Sequence, residues 1–137
     1  MIELGILADD LTGGMMVASL LEREGVECPL VSSVEALADI PSTATAVVVA
    51  RKIRLVDPVI AVDEAKQTVK ALQKLGCKRF YYKYCATFDS TEKGNIGPIA
   101  EAMLGTLSAS QTLFCPAFPV HTVTVFQGMM FIGSTPL

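Results

Sequence analysis

No apolar run in this chain reaches the roughly 20 residues that a bilayer-crossing helix requires. No cluster of lysine and arginine gives it the basic face that nucleic acid or an anionic membrane would need. The opening stretch "MIELGILADD" carries an acidic group early and lacks the basic and apolar regions of a secretory leader, so a cytoplasmic chain with no membrane and no nucleic-acid partner is expected. The four cysteines, Cys28, Cys77, Cys85 and Cys115, are scattered and form no C-x-x-C pair, which argues against a zinc site or a disulfide framework. They read as small buried hydrophobes. The single histidine, His121, has no cysteine or acid at ligand spacing, so no metal is expected there. Repeats, low-complexity tracts and linkers are absent as well, and residues 1–137 read as one domain. What is present is a chain 51% hydrophobic and 18% charged with a net charge of -3, the composition of a packed globular protein.

Segments rich in β-branched residues alternate with segments of helical period, the pattern of βα units on a mostly parallel sheet. Ile2 to Ala8 reads as a first strand and Thr12 to Glu24 as a helix stopped by Gly25. Val26 to Val31 reads as a second strand, and Ser33 caps a short helix through Ala38. "ATAVVVA" (Ala44 to Ala50) is the clearest buried strand. Asp57 and Pro58 open a helix that runs to Leu75 and stops at Gly76. Lys78 to Tyr84 is a strand, and Ile96, Ile99, Ala100 and Met103 form the packing face of the next helix. "QTLFCPAF" (Gln111 to Phe118) reads as a last core strand, and "TVTVFQGMMFIG" as a hairpin turning at Gln127-Gly128. The expected fold is α/β, three layers (α/β/α) around a mostly parallel, Rossmann-like sheet, with a C-terminal β-hairpin.

Ligands of open parallel sheets bind beyond the carboxyl ends of the strands. Asp9, Asp10 and Thr12 follow the first strand, where carboxylates either cap the helix or accept hydrogen bonds from a polyol. Lys52 and Arg54 follow the third, and with Lys83 they supply positive charge for an acidic ligand, arginine being suited to bidentate carboxylate binding. "DSTEKGNIG" places Asp89, Ser90, Thr91, Gly94 and Asn95 before a helix N-terminus, a natural cradle for a carboxylate or phosphate. It is not a Walker loop, because the G-x-x-x-x-G-K-[ST] order is missing.

"ILADDLTG", "YYKYCATFDSTEKGNIGP" and "CPAFPV…TVFQG" resemble, in order and spacing, the four-carbon acid sugar kinase family, nearest its branch acting on 3-oxo-tetronate. The resemblance covers nearly the whole chain. It implies a two-domain, nucleotide-binding enzyme that uses ATP and Mg²⁺ to phosphorylate a terminal hydroxyl of 3-oxo-tetronate, threonate or erythronate. By this resemblance the chain corresponds to the sugar-acid-binding N-terminal domain, and the family's C-terminal domain, which holds most of the ATP and Mg²⁺ site, is expected to be absent from it, so no cofactor-binding residue is expected here and the isolated chain is expected to be inactive. The family's first motif falls on Asp9, Asp10 and Thr12, with Asp9 or Asp10 as the catalytic base. Its K-x-R pair falls on Lys52 and Arg54, and its D-S-T-x-x-G-N loop on Asp89, Ser90, Thr91, Gly94 and Asn95. A homodimer or the missing half is the expected partner beside the sugar acid.

The chain departs from the family at Met15 and Met16, at Thr122-Val123 where a Gly-Arg pair is usual, at Met129, and at Ile53 inside K-x-R. These changes put mostly apolar side chains where ligand groups are expected. They support a second reading, a truncated or degenerate non-catalytic domain whose Met15, Met16, Met129 and Met130 form an apolar interaction surface at the former pocket.

Overall fold

The strand with the strongest sequence signal, now bounded as Ala46–Ala50 (β3), has all five residues buried, because it lies inside a sheet covered on both faces. The computed structural model describes residues 2–88 and 90–137. β1 (Leu4–Ala8), β2 (Leu30–Val31), β3 and β4 (Arg79–Lys83) form a parallel sheet in the order β2-β3-β1-β4. Helix α1 (Leu11–Arg23) covers one face, packing Val17, Ala18 and Leu21 on Ile6, Ala8 and Val48. Helices α2 (Pro58–Leu75) and α3 (Ile96–Leu107) cover the other, where Ala65, Val69, Ile99 and Met103 meet Leu7 and Ile53. Alternate residues of each strand thus feed opposite layers. The "TGG" of the first helix has a packing cause: a Cβ on Gly14 would lie 2.9 Å from the Ala50 Cβ, so only glycine lets α1 come this close to β3.

The helix signals act as expected. Asp57 caps α2 by accepting from the Val59 N–H at 2.8 Å, and Gly76 ends it in the left-handed region. No helix among the described residues is long and apolar enough to cross a membrane. The differences lie in short or edge segments. Only Leu30–Val31 of the expected second strand pairs, since its partner β3 is matched only from Val48 onward. The short helix after Ser33 is a 3-10 turn, Glu35–Asp39. Residues 111–118 form no strand beside β4. Pro116 cannot donate to a ladder, Leu113 is 92% exposed, and a cavity of about 800 Å³ lined by Tyr81, Tyr82, Leu107 and Phe114 stands between this segment and the sheet. Two cysteines are core residues as expected, Cys28 and Cys77, but Cys85 is half-buried in the segment that follows β4 and Cys115 is exposed within the unpaired segment.

The expected hairpin is present: β5 (Val123–Phe126) and β6 (Met129–Ile132) pair antiparallel around Gln127 and Gly128, both at positive φ, the geometry that matches strand twist. A third strand, β7 (Thr135–Pro136), adds to β6.

Candidate functional site

Sheet register assembles the site. Ala8, Ala50 and Lys83 are aligned across β3-β1-β4, so the segments leaving these strands emerge at one level. The Asp9 N–H donates to the Lys83 carbonyl at 3.1 Å and the Ile53 N–H to the Asp9 carbonyl at 3.1 Å, tying the three exits together. Ile53 is fully buried in the cluster under the sheet end. Its apolar side chain is therefore an anchor for the turn and not a lost ligand group, contrary to the reading of its sequence position. With Ile53 pinned, Arg54 reaches back over β1. Its Nε donates to Asp9 Oδ2 at 3.0 Å, its Nη2 to Asp9 Oδ1 at 2.8 Å, and Nη2 also lies 2.9 Å from Asp10 Oδ1.

The two carboxylates are not equivalent. Asp9 is 1% exposed with both oxygens spent on Arg54. Asp10 is 29% exposed at its side chain and also caps α1, accepting from the Gly13 N–H at 2.7 Å. Hydrogen bonding to Asp9 holds the Arg54 guanidinium firmly protonated. Arg54 Nη1 takes part in no hydrogen bond among the described residues, so it remains able to meet an anion. A guanidinium already stands where a cation would sit between the carboxylates, which makes this donor set a poor fit to a bound Mg²⁺.

The polar loop closes the site. A Cβ on Gly94 would collide with Ser90 Oγ and the Thr91 backbone, so the turn from Ser90 to Asn95 depends on glycine there. Asn95 is buried, and its Nδ2 donates to the carbonyls of Ile53 at 2.7 Å, Val56 at 2.8 Å and Arg54 at 3.2 Å. It is the clamp between the Arg54 turn and the start of α3. Together Asp9, Arg54, Ser90, Thr91, Gly94 and Asn95 line a cavity of about 210 Å³, the size of a small ligand.

Other sequence-predicted residues lie elsewhere. Thr12 and Lys52 are exposed. Lys83 faces the α1 side and lines a separate cavity of about 170 Å³ with Met16, Cys85 and Cys115. There its Nζ donates to the Tyr84 carbonyl at 2.6 Å, and burial lowers its pKa while Asp9 partly opposes that shift. Asp89 lies outside the described residues. None of Met15, Met16, Thr122, Val123 and Met129 lines the Asp9–Arg54 cavity, and Val123 and Met130 are buried within the C-terminal sheet. Tyr82 does line the cavity. The strand pattern of Lys78 to Tyr84 alone gives it no site role, although strand alternation from Lys83 places it on the face carrying Leu7.

Residues 4–137 match the family model of the sugar-binding N-terminal domain. A 3-oxo-tetronate kinase of Cupriavidus necator is 44% identical over 137 residues, covering 98% of this chain and 32% of that protein. The crystal structure of a Salmonella typhimurium LT2 protein superposes with a TM-score of 0.94 at 37% identity, covering 99% of this chain and 33% of that one. A Bordetella bronchiseptica structure, a domain-swapped dimer with bound citrate, superposes with a TM-score of 0.85 at 28% identity, covering 98% of this chain and 34% of that one. The chain thus spans about a third of the length of the relatives it matches.

Proposed function

The chain belongs to the sugar-binding N-terminal domain family, and from this premise we propose that it is the substrate-holding part of an ATP-dependent kinase acting on a four-carbon sugar acid, with 3-oxo-tetronate ahead of threonate and erythronate. The observation that carries the reading is the Asp9–Arg54 pair lining a small cavity, with Asp10 also on Arg54 and with Arg54 Nη1 unspent among the described residues. Arg54 meets the ligand carboxylate, fixed at the angle that Asp9 imposes, and the Ser90 to Asn95 loop meets its hydroxyls. Asp9, sealed and fully paired, positions Arg54. Asp9 lines the cavity, while Asp10, beside it on Arg54, is the more accessible carboxylate; one of the two is the base for the acceptor hydroxyl. ATP and its Mg²⁺ supply the phosphoryl group and belong to parts of the longer relatives that this chain does not cover; the work of this domain is to hold the acceptor in line, which is most of what phosphoryl transfer asks of a protein. The Bordetella structure, of which this chain matches 34%, carries bound citrate, itself a hydroxylated carboxylic acid, in keeping with a sugar-acid ligand. That structure's swapped dimer makes self-association the partner reading for this chain too.

Calorimetric titration of 3-oxo-tetronate, threonate and erythronate into the folded chain tests this. Binding by at least one acid is expected, with a loss of about tenfold or more in Arg54→Lys, which keeps the charge but not the fork. Absence of heat at millimolar ligand from a protein shown folded by circular dichroism would refute it.

A further inference from the structure

Among the described residues, a single buried side-chain polar atom has no hydrogen-bond partner, the phenolic oxygen of Tyr82. Its ring packs with the cluster of Leu7, Ile53 and Ile99 and meets Tyr84 edge-on at 5.6 Å. Phenylalanine would fill that cluster as well and spare the desolvation cost of a stranded hydroxyl. The same side chain lines the cavity with Asp9, Arg54, Ser90, Thr91 and Asn95. An orphaned polar atom at the wall of a candidate ligand cavity points to a partner that arrives with the ligand.

We propose that the Tyr82 hydroxyl reads the ligand, donating its proton to an oxygen of the bound acid and favouring a keto oxygen over a hydroxyl at the same carbon. This rests on the sugar-acid reading above and goes beyond it by assigning the oxo-against-hydroxy choice to one residue. Burial and then the Asp9 charge hold the phenol protonated at neutral pH, so it enters as a donor. A keto oxygen only accepts, and meets that donor directly. A hydroxyl accepts equally but brings a proton that needs an acceptor of its own, and the carboxylate beside the phenol, Asp9, is 1% exposed with both oxygens turned to Arg54. Arg54 is close enough to act on the phenol's charge.

The experiment compares the wild-type chain with Tyr82→Phe by titration of 3-oxo-tetronate, threonate and erythronate, and by melting without ligand. Tyr81→Phe, a half-exposed tyrosine on the opposite face of β4, is the control and is expected to change neither measurement. Tyr82→Phe is expected to melt at or above the wild-type temperature, to bind 3-oxo-tetronate about 5–10-fold more weakly, and to lose most of its preference for the oxo acid. Equal affinities and equal preference in wild type and variant overturn the inference while leaving the sugar-acid reading standing. A ligand-free variant that melts several degrees lower also overturns it, since the hydroxyl would then have a partner, such as a bound water, in the free protein. A wild type that binds none of the acids removes both readings at once.

Discussion

The four-stranded sheet and its helices bury their apolar side chains in three clusters, whereas β5, β6 and β7 bury only Val123 and Met130 and leave Phe126 67% exposed. The two regions are therefore held by different forces. The first draws its stability from apolar area removed from water, the second from ladder hydrogen bonds and a turn whose Gln127 and Gly128 already match the strand twist. The Asp9–Arg54 cavity is lined wholly by the first region. The buried core and the candidate site thus reside together there, and no residue of β5, β6 or β7 lines that cavity.

The largest expected effect breaks the first region directly. Leu72 is fully buried between α2 and the sheet, and a Cβ on Gly5 would lie 3.0 Å from its Cδ1, so there is no slack for neighbours to collapse into a void. Leu72→Ala is expected to cost about 2–5 kcal/mol in urea unfolding. A loss below about 1 kcal/mol would show that the parallel body is not the stability-determining unit.

How far the sequence revealed this contrast follows the range of the interactions. Periodicity located α2 from Pro58 to Leu75 and the core of β3, because burial on two faces leaves a continuous apolar run and capping residues are local. The pairing fate of residues 111–118 was misread, since an apolar run with one proline looks like a strand whether or not it reaches its neighbour. At the site, the sequence supplied the residue types and not their division of labour. Asp9 and Asp10 are adjacent, and only the depth at which β1 ends makes one sealed and the other half open. Asn95 looked like a ligand group, but its amide is spent on carbonyls 42, 41 and 39 residues away. No local pattern encodes a contact of that range. Tyr82 was hidden by the same limit: alternation gives its face, while the missing partner of its hydroxyl exists only in three dimensions.

An intermediate effect separates the regions by pH. Cys28 is buried under α1, and burial, then the nearby Glu22 charge, raises its thiol from 9.0 to about 11. A folded-state pKa above the unfolded one means stability present below pH 9 and lost as pH rises toward 11, because the unfolded thiol releases its proton first. Cys77 and Tyr82 are shifted in the same direction, chiefly by burial, and steepen the same limb. Cys28→Ala is expected to flatten the alkaline fall in melting temperature between pH 9 and 11, at a modest cost at pH 7 for the lost sulfur. An unchanged alkaline limb would remove Cys28 from the account.

The smallest expected effect comes from truncating a large side chain where the comparison says it matters least. Phe126 ends β5 and pairs with Met129 across the turn, yet both are more than half exposed, so removing the ring uncovers little that was dry. Phe126→Ala is expected to change unfolding free energy by no more than about 0.5 kcal/mol, within the range of ordinary surface substitutions. The pairing of aromatic and methionine side chains across strands contributes about a few tenths of a kcal/mol. A loss comparable to that of Leu72→Ala would mean that Phe126 is covered in solution, and its dependence on protein concentration would then identify a second copy of this chain as the cover, because only association makes stability rise with concentration.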